Sequence, residues 1–198
     1  MLEPGFMSAK LRWAIITGEY PPQTGGVGDY TRQVARGLAA AGDEVRIWAP
    51  PCPGQSPEDP GVQVRRLPSH FGPRALAAMD RELKRAACDR ILIQYVSHAF
   101  GWKAMNLPFC LWLLARQRGK AWVMFHEVAY PWEEGQPFKH RFLSVVTHAM
   151  AALTLRSAQQ AFVSIPAWES MLRKLGSSAR PIDWLPVPSN ICTRPHPA

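Results

Sequence analysis

The sequence predicts an α/β domain, Rossmann-like and doubly wound, with a mainly parallel sheet and helices on both of its faces. Three observations carry this. Short apolar runs alternate with helical patterns along most of the chain. Several of those runs, such as AWVMF at Ala121–Phe125, are apolar without alternation, as in strands covered on both faces. The opening unit, Leu11 to Gly42, joins an apolar run to a helix through a glycine-rich loop and leads directly into a second strand, a β-α-β pattern.

Taken in order, Trp13–Ile16 is the first strand. The loop after it carries Gly18, Pro21, Pro22, Gly25, Gly26 and Gly28. A helix is expected from Asp29, acting as N-cap, to Gly42, with Tyr30, Val34, Leu38 and Ala41 on its buried face. Glu44–Ala49 alternates as a strand. Pro50–Pro60, with five prolines, is a surface loop. Val62–Leu67 is a strand, and Leu76, Met79, Leu83 and Ala86 mark one face of a helix over residues 74–87. Ile91–Val96 is a strand, Leu107–Arg118 a helix, Ala121–Phe125 a strand and Phe138–Ser157 a long helix. Ala161–Ile165, Ala167–Leu175 and Ile182–Leu185 complete the series as strand, helix and strand. The boundary falls after residue 185, and residues 186–198, with four prolines, read as the start of an interdomain linker.

At 198 residues and 47% hydrophobic content the chain suits one domain with a sizeable core. A formal charge of +8 and a pI near 9.7 favour partners bearing phosphate or acidic groups. From Gln136 onward seven Lys and Arg stand against two acids, which suits an anionic membrane or a phosphorylated substrate as well as a plain solvated face. Cys52, Cys88, Cys110 and Cys192 show neither CxxC pairing nor metal spacing, so free thiols in a reducing cytoplasm are expected. No leader is expected at the N-terminus, and Phe142–Leu155 is too short and polar to span a bilayer. The expected location is the cytoplasm, with room for a peripheral contact at the inner face of the membrane.

The glycine loop excludes two common roles. No lysine follows its glycines as a P-loop requires. Gly26 and Gly28 begin a G-x-G-x-x-G pattern, but Thr31 stands at the third position, and no acid ends the second strand. What remains is a loop whose free N–H groups, at a helix N-terminus, suit an anion, or a tight turn with no ligand. His126 and Glu127 follow the AWVMF strand, where an open α/β sheet faces its cleft. HEVAY is not a zinc HExxH motif, because Tyr130 takes the second ligand position, and no metal is expected. Tyr95 and His98 end the preceding strand and are candidate acceptor contacts, with core packing or loop structure as the equal alternative. Trp132, Phe138, Lys139, His140 and Arg141 mix aromatic and basic side chains at the start of the long helix. A plain amphipathic core helix is the first reading there, and interfacial binding the second.

TGEYPPQTGGVGDYTRQVARGLAAAGDEVRIWAP resembles the opening of retaining glycosyltransferases with the GT-B fold, of the glycosyltransferase family 4 type. The likeness continues in order through FHEV at Phe125–Val128, FVSIPAWESMLRKLG at Phe162–Gly176 and WLPVPSNI at Trp184–Ile191. It implies that Gly25, Gly26 and Gly28 lie beside the donor diphosphate and the acceptor. It implies that His126 borders the reaction centre as the catalytic candidate, with Tyr30, Tyr95, His98, Glu127 and Arg141 as acceptor-side candidates. The resemblance also implies a sugar nucleotide as co-substrate, no further cofactor, and a carbohydrate or lipid-linked acceptor. Such enzymes have two Rossmann-like domains, and the donor-binding half with its E-x7-E motif does not occur in these 198 residues. The expectation is an acceptor-side domain, completed by a C-terminal donor-binding domain in cis or in trans and inactive alone. A subunit of a split enzyme and a non-enzymatic module binding a phosphorylated ligand are the alternatives. Nucleic-acid binding ranks last, since no motif supports it.

Overall fold

Arg12–Thr17 forms β1, an interior strand whose apolar residues are buried on both sides; Trp13 through Thr17 are all out of solvent. The computed structural model describes residues 9–117, 119–176 and 181–188. The remaining elements are α1 (Gly26–Ala40), β2 (Glu44–Ala49), β3 (Val62–Arg66), α2 (Pro73–Ala86), β4 (Arg90–Tyr95), α3 (Leu107–Gln117), β5 (Ala121–Phe125), α4 (Phe138–Ser157), β6 (Ala158–Val163), α5 (Pro166–Leu175) and β7 (Ile182–Trp184). A short 3₁₀ turn, Trp102–Ala104, lies between β4 and α3.

The seven strands make one sheet in the order β3-β2-β1-β4-β5-β6-β7, and every pairing is parallel. The chain winds outward from β1 to β3, crosses back through α2 to β4, and continues to the other edge. Right-handed crossovers then put α1 on one face and α2 to α5 on the other. The core divides accordingly. Trp13, Ile15, Val45, Ile47 and Leu92 pack with Ala35 of α1 on one face. Ala14, Ile16, Ile93, Tyr95, Val123 and Phe125 pack with Met79, Phe109, Met150 and Leu172 on the other. The expected class, doubly wound with helices on both faces, is what the chain forms.

Most boundaries agree with the sequence reading to within a residue. Two starts differ. α1 begins at Gly26, three residues before Asp29, with Gly25 rather than Asp29 as its N-cap. β6 begins at Ala158 through the polar pair Gln159 and Gln160, because it pairs with β5 from Ala121 onward. On α1 the buried residues are Gly28, Tyr30, Thr31 and Ala35, while Ala41 is exposed at the C-cap. Val34 and Leu38 of the expected face are partly buried against the core beneath α1. The expected end of α3 at Arg118 and all but the first residues of the linker lie outside the described residues.

Candidate functional site

In a parallel sheet of this order the ligand edge lies at the carboxyl ends of the strands, where the winding reverses between β1 and β4. Three segments meet there: the loop after β1, the loop after β4 and the loop after β5. The first two touch closely, since a Cβ at Gly18 would collide with Ala99. That contact, not a turn conformation, requires glycine at 18.

The glycine loop is occupied by its own chain. Glu19 Oε1 accepts hydrogen bonds from the N–H groups of Val27 (2.9 Å) and Gly28 (2.9 Å) at the start of α1. The N-terminus expected to offer free donors to an anion therefore already holds a carboxylate, which is where the helix dipole favours one. This also corrects the assignment of Asp29 as cap: Glu19 satisfies the orphan N–H groups from outside the helix. A Cβ on Gly25 would run into the Glu19 carboxylate, so glycine at 25 makes room for it. Gly28 lies close under the Tyr20 backbone, 3.3 Å from a would-be Cβ. Gly26 is different: it is exposed, and no atom lies within 4 Å of where a Cβ would stand. Arg66, at the end of β3, fixes the loop by donating from Nη2 to the carbonyls of Tyr20 (3.2 Å) and Pro21 (2.6 Å).

His126 continues β5 by one residue, its N–H donating to the Tyr95 carbonyl (3.0 Å). Its own carbonyl accepts from Ser164 Oγ (3.1 Å) and Trp168 Nε1 (2.9 Å). Backbone and carbonyl are thus held from both neighbouring strands. The ring is held as well: Nε2 lies 2.8 Å from Gln94 Oε1, and the Tyr30 ring meets it edge-on at 5.1 Å between centroids. The neutral ring takes its tautomer from Gln94: with Oε1 as acceptor Nε2 carries the proton and Nδ1 keeps a lone pair, and with the amide turned over Gln94 Nε2 donates to the ring and Nδ1 carries the proton. Burial lowers the His126 pKa to about 4, so the ring is neutral at pH 7. Among the described residues, buried Gln94 Nε2 has no hydrogen-bond partner.

The remaining candidates divide. Tyr30 is 8% exposed and serves as the wall against which His126 rests. His98 Nδ1 and Glu127 Oε2, both well exposed, approach to 3.1 Å and tie the loop after β4 to the loop after β5. Tyr95 is a correction. It is fully buried, packed against Phe125 (5.0 Å) and Phe100 (6.0 Å), and touches no open edge. The period of two explains this: Gln94 faces α1 and the cleft, so Tyr95 must face the α2–α4 core. Arg141 stands apart on α4, its guanidinium 5.4 Å over the Trp132 ring. The edge therefore joins Tyr30, Gln94, His98, His126 and Glu127 with the open backbone of Gly26.

Glu19, Gln94, Ser164 and Trp168 escaped the sequence reading. Gln94 had a signal, a lone polar residue inside ILIQYV. Glu19 had a fainter one, an acid immediately before the proline-glycine loop. Nothing local marks Ser164 or Trp168, which act across strands. Among the described residues, no three His, Cys, Asp or Glu side chains converge as a metal site would require.

Fold and edge together define a class: a doubly wound α/β domain with a polar, partly preorganised ligand edge at its winding reversal. The chain belongs to the glycosyl transferase 4-like domain family, whose model matches residues 25–188. That span runs from the glycine loop to the strand at the far edge of the sheet, and the seven parallel strands with five helices have the architecture of one half of a GT-B enzyme. A glycosyltransferase-type function follows, with binding of a sugar nucleotide and an acceptor in general terms. No curated protein matches the chain. Among the described residues, no helix is long and apolar enough to cross a membrane.

Proposed function

We propose that this chain is the acceptor-side domain of a sugar-nucleotide-dependent glycosyltransferase, acting on a carbohydrate or lipid-linked acceptor. A donor-binding α/β domain, joined in cis or in trans, completes the site. The observation that carries the reading is the neutral His126 at the strand edge, its ring held by Gln94 and its backbone by both neighbouring strands.

A base with a pKa near 4 is too weak to take a proton efficiently at neutral pH. It is well suited to hydrogen-bond a sugar hydroxyl, which both donates and accepts, and to hold it at one angle. His126 is therefore a positioning contact for the hydroxyl-bearing substrate. Glu19 supports the same side of the reaction. Its carboxylate brings negative charge to the glycine loop and has one oxygen, Oε2, left to accept from a hydroxyl. Such a carboxylate works against a diphosphate at the same loop unless cations offset its charge, and Arg66 at Tyr20 and Pro21 offsets only part of it. That weighs against a stand-alone module for a phosphorylated ligand. It favours a hydroxylated acceptor here, with the donor phosphates held mainly from the opposite side.

The test uses the complete two-domain enzyme in a transfer assay. His126→Ala is expected to lower kcat/KM roughly tenfold, the value of about one lost substrate hydrogen bond. His126→Gln, which keeps a polar atom near the same place, is expected to recover part of it. An unchanged kcat/KM in both variants removes His126 from the site.

A further inference from the structure

α4 (Phe138–Ser157) exposes apolar residues that a core helix would bury. It turns Ser144, Thr147, Thr154 and Ser157 inward, and leaves Phe138 (83%), Phe142 (52%) and Val145 (55%) in solvent. The inward hydroxyls are satisfied: Ser144 Oγ donates to the Tyr130 carbonyl, Thr147 Oγ1 to the Leu143 carbonyl, Thr154 Oγ1 to Cys110 Sγ and Ser157 Oγ to the Thr154 carbonyl. The helix is thus settled in this orientation. Spacings of four and three place the two phenylalanines and Val145 on one outward stripe.

The stripe does not end with α4. Phe138 and Phe142 line a recess of about 400 Å³ together with Lys103, Met105, Lys139 and Leu143. Trp102, Trp132 and Leu111 are each about half exposed on the adjoining loops and on α3. Neither α3 nor α4 contains an Asp or Glu, whereas Lys139 and Arg141 stand in the first turn of α4. Glu133 and Glu134, in the loop before α4, are the nearby acids in sequence. Both helices start at the carboxyl edge of the sheet, so the stripe shares its rim with His126.

We propose that this stripe docks on an anionic lipid bilayer surface. Phe138 and Phe142 enter the boundary between headgroups and acyl chains, and Lys103, Lys139 and Arg141 lie against lipid phosphates. Exposed aromatics beside Lys and Arg, with tryptophans at the margin, are the composition of an interfacial helix. An apolar patch of this kind is not left open without a partner. The absence of acids from α3 and α4 selects an anionic surface over a neutral one. Because Glu133 and Glu134 offset part of the cationic charge, the phenylalanines carry the attraction and the cations orient it. So docked, the chain would hold its strand edge toward the bilayer, where a lipid-linked acceptor presents its headgroup.

The experiment is vesicle flotation of the full chain, with phosphatidylcholine vesicles and with vesicles of phosphatidylcholine mixed with phosphatidylglycerol. The chain is expected to float with the mixed vesicles and less with phosphatidylcholine alone. The double variant Phe138→Ser/Phe142→Ser is expected to lose at least about tenfold in partition, from the apolar area it no longer buries. Lys139→Glu/Arg141→Glu is expected to lose about fivefold or more for each charge on the mixed vesicles. All four side chains are exposed, so circular dichroism and melting should match the parent. Quenching of tryptophan emission by bromine-labelled lipid in the mixed vesicles provides a readout that needs no variant. Absence of flotation on both vesicles, or equal flotation of the serine variant, overturns the proposal. Concentration-dependent self-association that the serine variant abolishes, without vesicle binding, overturns it in favour of a second copy of the chain. Neither donor nor acceptor is present, so failure here leaves the glycosyl-transfer reading untouched.

Discussion

His126 illustrates how a residue's surroundings decide its chemistry. Its ring is largely buried beside a neutral amide and an aromatic ring, and that burial lowers its pKa to about 4. In the unfolded chain the same ring titrates near 6.5. Between those values the unfolded state binds a proton that the folded state refuses. Stability therefore falls as pH drops through about 6.5, and this contribution levels off below about 4. Denaturant titrations from neutral to acid pH should show a shallower decline for His126→Gln than for the parent. In a ring-proton NMR titration, His126 should remain neutral down to about pH 4; a midpoint near 6.5 contradicts the buried, Gln94-bonded ring. The sequence showed His126 at a strand end, because strand ends are marked by where an apolar run stops. It could not show Gln94 and Tyr30 around it, since those contacts join β4 and α1 to β5. For Tyr95 the core-packing alternative is the one the structure shows, because adjacent strand residues share a location in sequence but face opposite sides of the sheet.

At the scale of the element, α1 shows a helix start set from outside the helix. The sequence offered Asp29 as a local cap, a residue type that commonly serves there. Glu19, seven residues before the helix, serves instead, because the loop after β1 folds back and Arg66 pins it at Tyr20 and Pro21. Glu19→Ala should cost about 1 kcal/mol, the usual value of a lost cap, and lower the melting temperature by about 2–4 °C for a domain of this size. Gly25→Ala should destabilise by a comparable route, since its Cβ displaces the same carboxylate. No change in either variant on thermal unfolding means the cap is not made in solution. The strands covered on both faces were the most legible elements, since apolar runs such as those of β1 and β5 mark them, whereas the polar start of β6 was not. Helix faces were less so. α2 follows a strong period of apolar residues, and its expected face is its buried face. α4 carries apolar residues all round, and only packing shows that Ser144 and Thr147 turn inward while Phe138 and Phe142 turn out.

At the scale of the molecule, parallel pairing puts every strand's carboxyl end on one edge, and the reversal at β1 and β4 opens that edge to a ligand. One face of the resulting rim carries His126, Gln94 and the open Gly26 backbone, while the neighbouring ends of α3 and α4 carry the aromatic and cationic stripe. The glycines at 25 and 28 are spent on internal packing, which leaves Gly26 as the glycine facing solvent. An edge so equipped contacts a substrate on one side and needs a second surface to close over it. The most direct test of the central claim measures sugar-nucleotide turnover by this chain with and without a donor-binding domain, supplied in trans or fused in cis. Transfer to acceptor is expected only when that domain is present, and to fall roughly tenfold with His126→Ala. Full transfer by residues 1–198 alone, or transfer by the completed enzyme that ignores His126, would contradict the account.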